Sequence, residues 1–218
     1  MTVPSTQMEG HVAGRRPRRA RLGDRWLRLR TSAGMVGALA GLATVTAAPA
    51  DATAGSDGSF ETPVVRPNTF QTFSSGQSIG AWNVTAGTVD LVGQGFWEAA
   101  DGVQSLDLNG SGTGAVSQTF STLPLVKYEI GYRLSGNPAG TPVVKTGDIR
   151  IDDQVVGKFS FDTTGTRLSD MGYTRQKVTF VANGLSTTVR FSSTVPGGFG
   201  PVIDDVEIRS CLVVICHL

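Results

Sequence analysis

The chain has 218 residues, of which 17% are charged and 39% hydrophobic, with a formal net charge of +1. That is the composition of an ordinary soluble fold, with length for one domain and a leader. Eight of the 19 basic residues fall in the first 52 positions against three of the 18 acidic ones. The remainder therefore carries 11 basic and 15 acidic residues, near −4, and an acidic domain without a basic patch argues against nucleic-acid binding.

Residues 1–52 read as a signal peptide. Residues 15–30 are Arg-rich, residues 33–47 form an apolar run weighted to Ala and Gly, and Ala48-Pro49-Ala50 and Ala50-Asp51-Ala52 are both small-x-small cleavage sites. The alternative is a retained anchor, for which the run is short. Arg15-Arg16 and Arg18-Arg19 leave the export route open, but either route ends outside the cytoplasm, with no membrane attachment after cleavage. Residues 53–210 form the expected single domain, and residues 211–218 a short cysteine-flanked tail. Cys211 and Cys216 are the only cysteines; after export they are expected to pair, the alternative being free or intermolecular thiols.

From residue 53 onward the pattern is short alternating runs broken by Gly, Pro, Asn and Asp, without helical periodicity. A first run is expected at residues 58–65, ended by Pro67. Trp82 and Val84 alternate, then Val89 and Leu91, then Leu106 and Leu108. Val116, Gln118 and Phe120 share a face. Tyr128, Ile130, Tyr132 and Leu134 make the cleanest strand. Ile149 to Ile151 turn through Asp152-Asp153 into residues 155–161, and residues 162–172 form a polar loop. Val178, Phe180 and Ala182 turn at Asn183-Gly184, a strong hairpin signal, into Leu185, Thr187, Val189 and Phe191. These runs predict an all-β jelly-roll β-sandwich of roughly ten antiparallel strands.

The closing strand, residues 201–208, is expected to place Val202, Asp204, Val206 and Ile208 on one face, with Asp204 turned inward among apolar residues. A buried carboxylate needs neutralising or hydrogen bonding. One reading is a structural Ca²⁺ held by Asp204 and Glu61, completed by carbonyls of residues 57–59; it supposes that the first and last strands meet. The other is an Asp bonded to backbone N–H groups at a bulge or turn.

Several motifs occur in order: Asp57-Gly58-Ser59-Phe60-Glu61-Thr62-Pro63, Gly80-Ala81-Trp82-Asn83-Val84, Phe96-Trp97-Glu98-Ala99-Ala100-Asp101-Gly102, Gln104-Ser105-Leu106-Asp107-Leu108-Asn109-Gly110 and Gly200-Pro201-Val202-Ile203-Asp204-Asp205-Val206. The set resembles bacterial choice-of-anchor C proteins and is similar to the plant cell-wall family catalogued as domain of unknown function 642 (BIIDXI-type). The resemblance covers residues 57–209. It implies a galactose-binding-like jelly roll, an extracellular location, association with cell-wall polysaccharide, and calcium on the positions of Glu61 and Asp204. The chain departs from the pattern in lacking a sorting motif at its end and in carrying Asp57 where the family has Asn.

Catalysis finds little support. The one His after residue 52 is His217, so Ser-His-Asp and Cys-His arrangements are excluded, and no His/Cys cluster could hold a catalytic metal. Glu98 beside Trp97 keeps a glycan hydrolase as a third reading, behind a protein-adhesion module as the second. The first is a non-catalytic polysaccharide-binding module. Its candidate ligand-binding residues are Trp97 and Tyr173, as stacking platforms, and Asp107, Asn109 and Arg133, as polar groups on an outer sheet face. Trp97 could equally fold back over the core, and the polar residues could be ordinary solvated ones.

Overall fold

A computed structural model describes residues 57–211; the export segment and Cys216 lie outside the described residues. Twelve strands are present: β1 Phe70–Ser74, β2 Ser78–Ile79, β3 Trp82–Ala86, β4 Thr88–Val92, β5 Ser105–Asp107, β6 Ala115–Ser121, β7 Lys127–Gly136, β8 Val144–Ile151, β9 Gln154–Asp162, β10 Thr174–Val181, β11 Ser186–Ser193 and β12 Pro201–Ser210. They form two six-stranded antiparallel sheets, β1-β4-β5-β12-β7-β10 and β2-β3-β6-β11-β8-β9. The fold is the jelly-roll sandwich the alternation predicts, with two strands more than expected. Among the described residues there is no helix.

The core lies between the sheets. Trp82 sits fully buried near its centre, with ring centroids 5.6 Å from Phe60, 6.0 Å from Phe191 and 6.3 Å from Phe120. Its indole N–H donates to the Asp57 carbonyl at 3.2 Å, so the largest core residue also leaves no orphaned donor. Strand β7 shows the period-two signal in full: Tyr128, Ile130, Tyr132 and Leu134 are buried, and their odd-numbered neighbours from Lys127 to Arg133 are partly exposed. The β8–β9 hairpin turns at Asp152 and Asp153, both with positive φ (47° and 67°), as a two-residue turn of matching twist requires.

Residues 58–65 do not form a strand. Residues 57–59 make a turn and the segment runs on as coil; the first strand begins at Phe70. Cys211 is disulfide-bonded and its backbone N–H donates to the Lys127 carbonyl at 2.8 Å.

Candidate functional site

The closing strand departs from simple alternation. Against β7 its register runs from Pro201↔Gly136 to Asp204↔Arg133, then resumes one residue displaced at Glu207↔Gly131. The extra residue is a β-bulge at Asp205, whose φ is 48°. Ile203 therefore faces the main core before the bulge, and Val206 and Ile208 face it after. Val202 and Asp204 lie on the opposite face, and the expected grouping of Asp204 with Val206 and Ile208 is corrected. Gly58 passes directly over the bulge. Its carbonyl accepts the Val206 N–H at 3.0 Å, and a Cβ there would collide with the Val206 carbonyl.

Asp204 is nonetheless fully buried, because residues 93–104 fold over it. Its Oδ2 accepts the N–H groups of Ala100 (2.7 Å) and Asp101 (3.0 Å), and its Oδ1 accepts that of Asp205 (2.7 Å). Burial pushes its carboxyl up to about 7, against the pull of those three N–H groups. Glu61 grips the same loop further on: its Oε1 accepts the N–H groups of Val103 (2.8 Å) and Gln104 (2.9 Å). Gln104 in turn donates to the carbonyls of Phe60 and Pro63 and accepts the Val65 N–H. Two carboxylates and one amide thus fasten the loop to the coil at residues 57–65 and to β12.

Beneath that loop is a second, smaller core on the outer face of the first sheet. Trp97 (6% exposed) packs with Val92, Met171 and Val202, with Phe96 and Tyr173 against them. Its indole N–H donates to Ser105 Oγ at 2.8 Å. Tyr173 is mostly covered, its hydroxyl raised by burial. Glu98 accepts the Met171 N–H at 2.9 Å and clips the two covering loops together. Trp97 thus takes the folded-back alternative, and Tyr173 is partly buried against the same cluster.

A cleft of about 110 Å³ opens beside this second core. Phe70, Phe96 and Phe199 line its mouth and are each partly exposed; Phe70 stands edge-on to Phe96 with centroids 5.6 Å apart. Asp90, Asp107 and Asn137 supply its polar groups, and Trp97 one wall. Asp90 and Asp107 are cross-strand neighbours on β4 and β5. Asp90 accepts the Thr72 hydroxyl at 2.6 Å. Asp107 is buried and fully engaged, accepting the N–H groups of Asn109 (2.9 Å) and Gly200 (3.0 Å) and the Asn137 amide (2.8 Å).

The other expected polar residues stand back from the cleft. Asn109 is buried and donates to the carbonyls of Val195 and Gly197, holding the loop that carries Phe199. Lys145, also buried, donates to the carbonyls of Gly140 and Phe199 and ties the neighbouring loop to the same place. Arg133 is separated from Asp107 by β12 and reaches Asp205 at 3.4 Å. The expected open polar surface is therefore corrected: loops cover Asp107 and Asn109, and Arg133 lies elsewhere. Phe70, Asp90, Asn137 and Phe199 escaped the sequence reading. Their one shared signal is proximity to Gly- and Pro-rich turns.

Burial, first, and the neighbouring Asp90 raise the Asp107 carboxyl to about 7, against its hydrogen bonds. A folded-state value above the unfolded one means that the folded protein holds the proton more tightly. The contribution to stability is complete below about pH 4 and is lost as pH rises through 7. The melting temperature is expected to rise on going from pH 8 to pH 5. Asp107→Asn should flatten that slope; equal slopes for wild type and variant in thermal denaturation would remove Asp107 as its source.

Residues 55–209 match the family described as protein of unknown function (DUF642). The chain belongs to that family. Among curated proteins, the DUF642 chain is 33% identical over 134 residues to halomucin of Haloquadratum walsbyi, a match covering 60% of this chain and 1% of halomucin. Among solved structures, the DUF642 domain is similar to the family 61 carbohydrate-binding module TmCBM61 in complex with β-1,4-galactotriose (TM-score 0.44, 16% identity, 71% of this chain and 96% of that one). It is also similar to a family 35 module from Clostridium thermocellum (0.42, 11%, 64% and 90%) and to the C-terminal family 6 module of LamC from Zobellia galactanivorans (0.42, 15%, 65% and 99%).

Proposed function

We propose that this protein is a secreted, non-catalytic module that binds extracellular polysaccharide through the cleft at Phe70, Phe96 and Phe199. The observation that supports this is the pairing of an aromatic mouth with polar groups on its floor. Sugar rings present C–H faces that pack on aromatic rings, and hydroxyls that seek carboxylate and amide partners. Asp107, Asn137 and Asn109 are committed to internal hydrogen bonds and hold the cleft's shape. Asp90 keeps lone pairs for a ligand. A location at the cell wall and kinship with choice-of-anchor C proteins belong to the same reading. Glycan-array and polysaccharide pull-down measurements on residues 53–218 test it; absence of binding to every glycan would overturn it.

The same reading includes a structural Ca²⁺ at Glu61 and Asp204. Carboxylate oxygens suit a hard cation in kind, although Asp204 already accepts three backbone N–H groups and Glu61 two. Among the described residues no three His, Cys, Asp or Glu side chains form a cluster able to hold an ion. Carbonyls of residues 57–59 would therefore have to complete the shell; that of Asp57 already accepts the N–H groups of Phe60 and Trp82, while that of Gly58 accepts the Val206 N–H and keeps a lone pair. Such an ion would neutralise buried charge and lock the loop at residues 93–104. Adding a chelator is expected to lower the melting temperature by about 5–10 °C, the scale of a ligand held at ~100 times its Kd. An unchanged melting temperature would remove the ion from the reading.

A further inference from the structure

We infer that the cleft selects neutral sugars and rejects uronic acids and sulfated sugars, with Asp90 as the discriminating residue. This rests on the cleft's being the glycan site. The charged side chains that line it are Asp90 and Asp107, both acidic; Asn137 is the remaining polar one. The nearest buried cation, Lys145, has its ammonium turned to the carbonyls of Gly140 and Phe199, behind the cleft wall.

The two carboxyls play different parts. Asp107 is saturated by three N–H donors and stays in the floor. Asp90 is partly exposed and gives one oxygen to Thr72, which fixes its orientation and leaves acceptor capacity facing the opening. An outward carboxylate accepts hydrogen bonds from sugar hydroxyls, and charge strengthens such bonds. It can offer nothing to a ligand carboxylate or sulfate but like-charge repulsion. The volume, about 110 Å³, is well under the ~300 Å³ at which pockets begin to enclose drug-sized ligands. One ring at a time would enter, so the charge of that single unit decides the outcome.

The test is a set of immobilised trisaccharides in matched pairs: glucose with glucuronate, galactose with galacturonate and mannose with mannuronate, each pair in one linkage. Binding of the whole chain is read at low and at moderate salt. The neutral member of the bound pair should bind at least tenfold more tightly than its acid counterpart, with the ratio shrinking as salt rises. In Asp90→Asn, whose amide oxygen still accepts the Thr72 hydroxyl, the ratio should fall below threefold; a thermal melt checks folding. An unchanged ratio in that variant would overturn the role of Asp90. Equal or tighter binding of the acids would overturn the selectivity and leave a glycan site standing. No binding to any pair would overturn both.

Discussion

Asp204→Ala is expected to destabilise the domain by roughly 3–5 kcal/mol, a fall of about 10 °C or more in melting temperature. The variant removes the acceptor for three backbone N–H groups at once, those of Ala100, Asp101 and Asp205. Two opposing effects must be weighed. Removing a buried carboxylate relieves its desolvation, which already lifts it to about 7. Against that, each orphaned donor costs about 1–3 kcal/mol unless water reaches it, and Asp205 cannot shift without undoing the bulge. Three donors outweigh one relieved carboxyl. Loop residues 93–104 should loosen first, so tryptophan fluorescence from Trp97 should change below the global transition. Asp204→Asn keeps one acceptor oxygen and should lose about half as much. If urea titration showed a loss under ~1 kcal/mol for the alanine variant, Asp204 would not be the anchor of that loop.

Phe70→Ala and Phe199→Ala should each weaken glycan binding about tenfold or more while leaving the melting temperature within a few degrees of wild type. Both rings are substantially exposed, 50% and 39%, so little buried area is lost on truncation. A ring that becomes covered by a sugar contributes about 1.5–3 kcal/mol on the scale of a buried side chain, or ten- to hundredfold in affinity. Trp97→Ala is the contrasting case. Its side chain is 6% exposed and its indole N–H is committed to Ser105, so truncation should cost about 3–5 kcal/mol of stability. Binding would then fail because the cleft wall is gone. Isothermal titration alongside thermal melts separates the two behaviours. Unimpaired binding in both phenylalanine variants would move the glycan site away from this cleft.

The sandwich was largely legible because β7 and β8–β9 carry local signals: clean alternation along β7 and a turn at Asp152-Asp153. The hairpin expected at Asn183-Gly184 is corrected: β10 pairs with β7 in the first sheet and β11 with β6 and β8 in the second, so the chain crosses between the sheets there. Strand β1 was not. Its two aromatics, Phe70 and Phe73, are three apart and face opposite ways, Phe70 to the cleft and Phe73 to the core, so the strand has no clean period. The bulge on β12 hid the true neighbours of Asp204, since one inserted residue reverses every assignment beyond it. The alternation did place Asp107 on the outer face of its strand, which β5 confirms by pairing it with Val202 and Asp90. What covers that face comes from residues 93–104, an irregular loop leading into β5, and from residues 194–200, distant in sequence. No local pattern announces such cover, and so Asp107 and Asn109 looked solvated.

Gly58 sets one boundary that strands alone do not reveal. Counted by sheets, the domain starts at Phe70; counted by bonds to the bulge and to Gln104, it starts at least at Asp57. The thirteen positions from Asp57 up to β1 act as a strap that is wound over the finished sandwich and buckled at Asp204's loop. Trimming the chain to its first strand would spare every ladder pairing yet unfasten the recess where a sugar is proposed to sit.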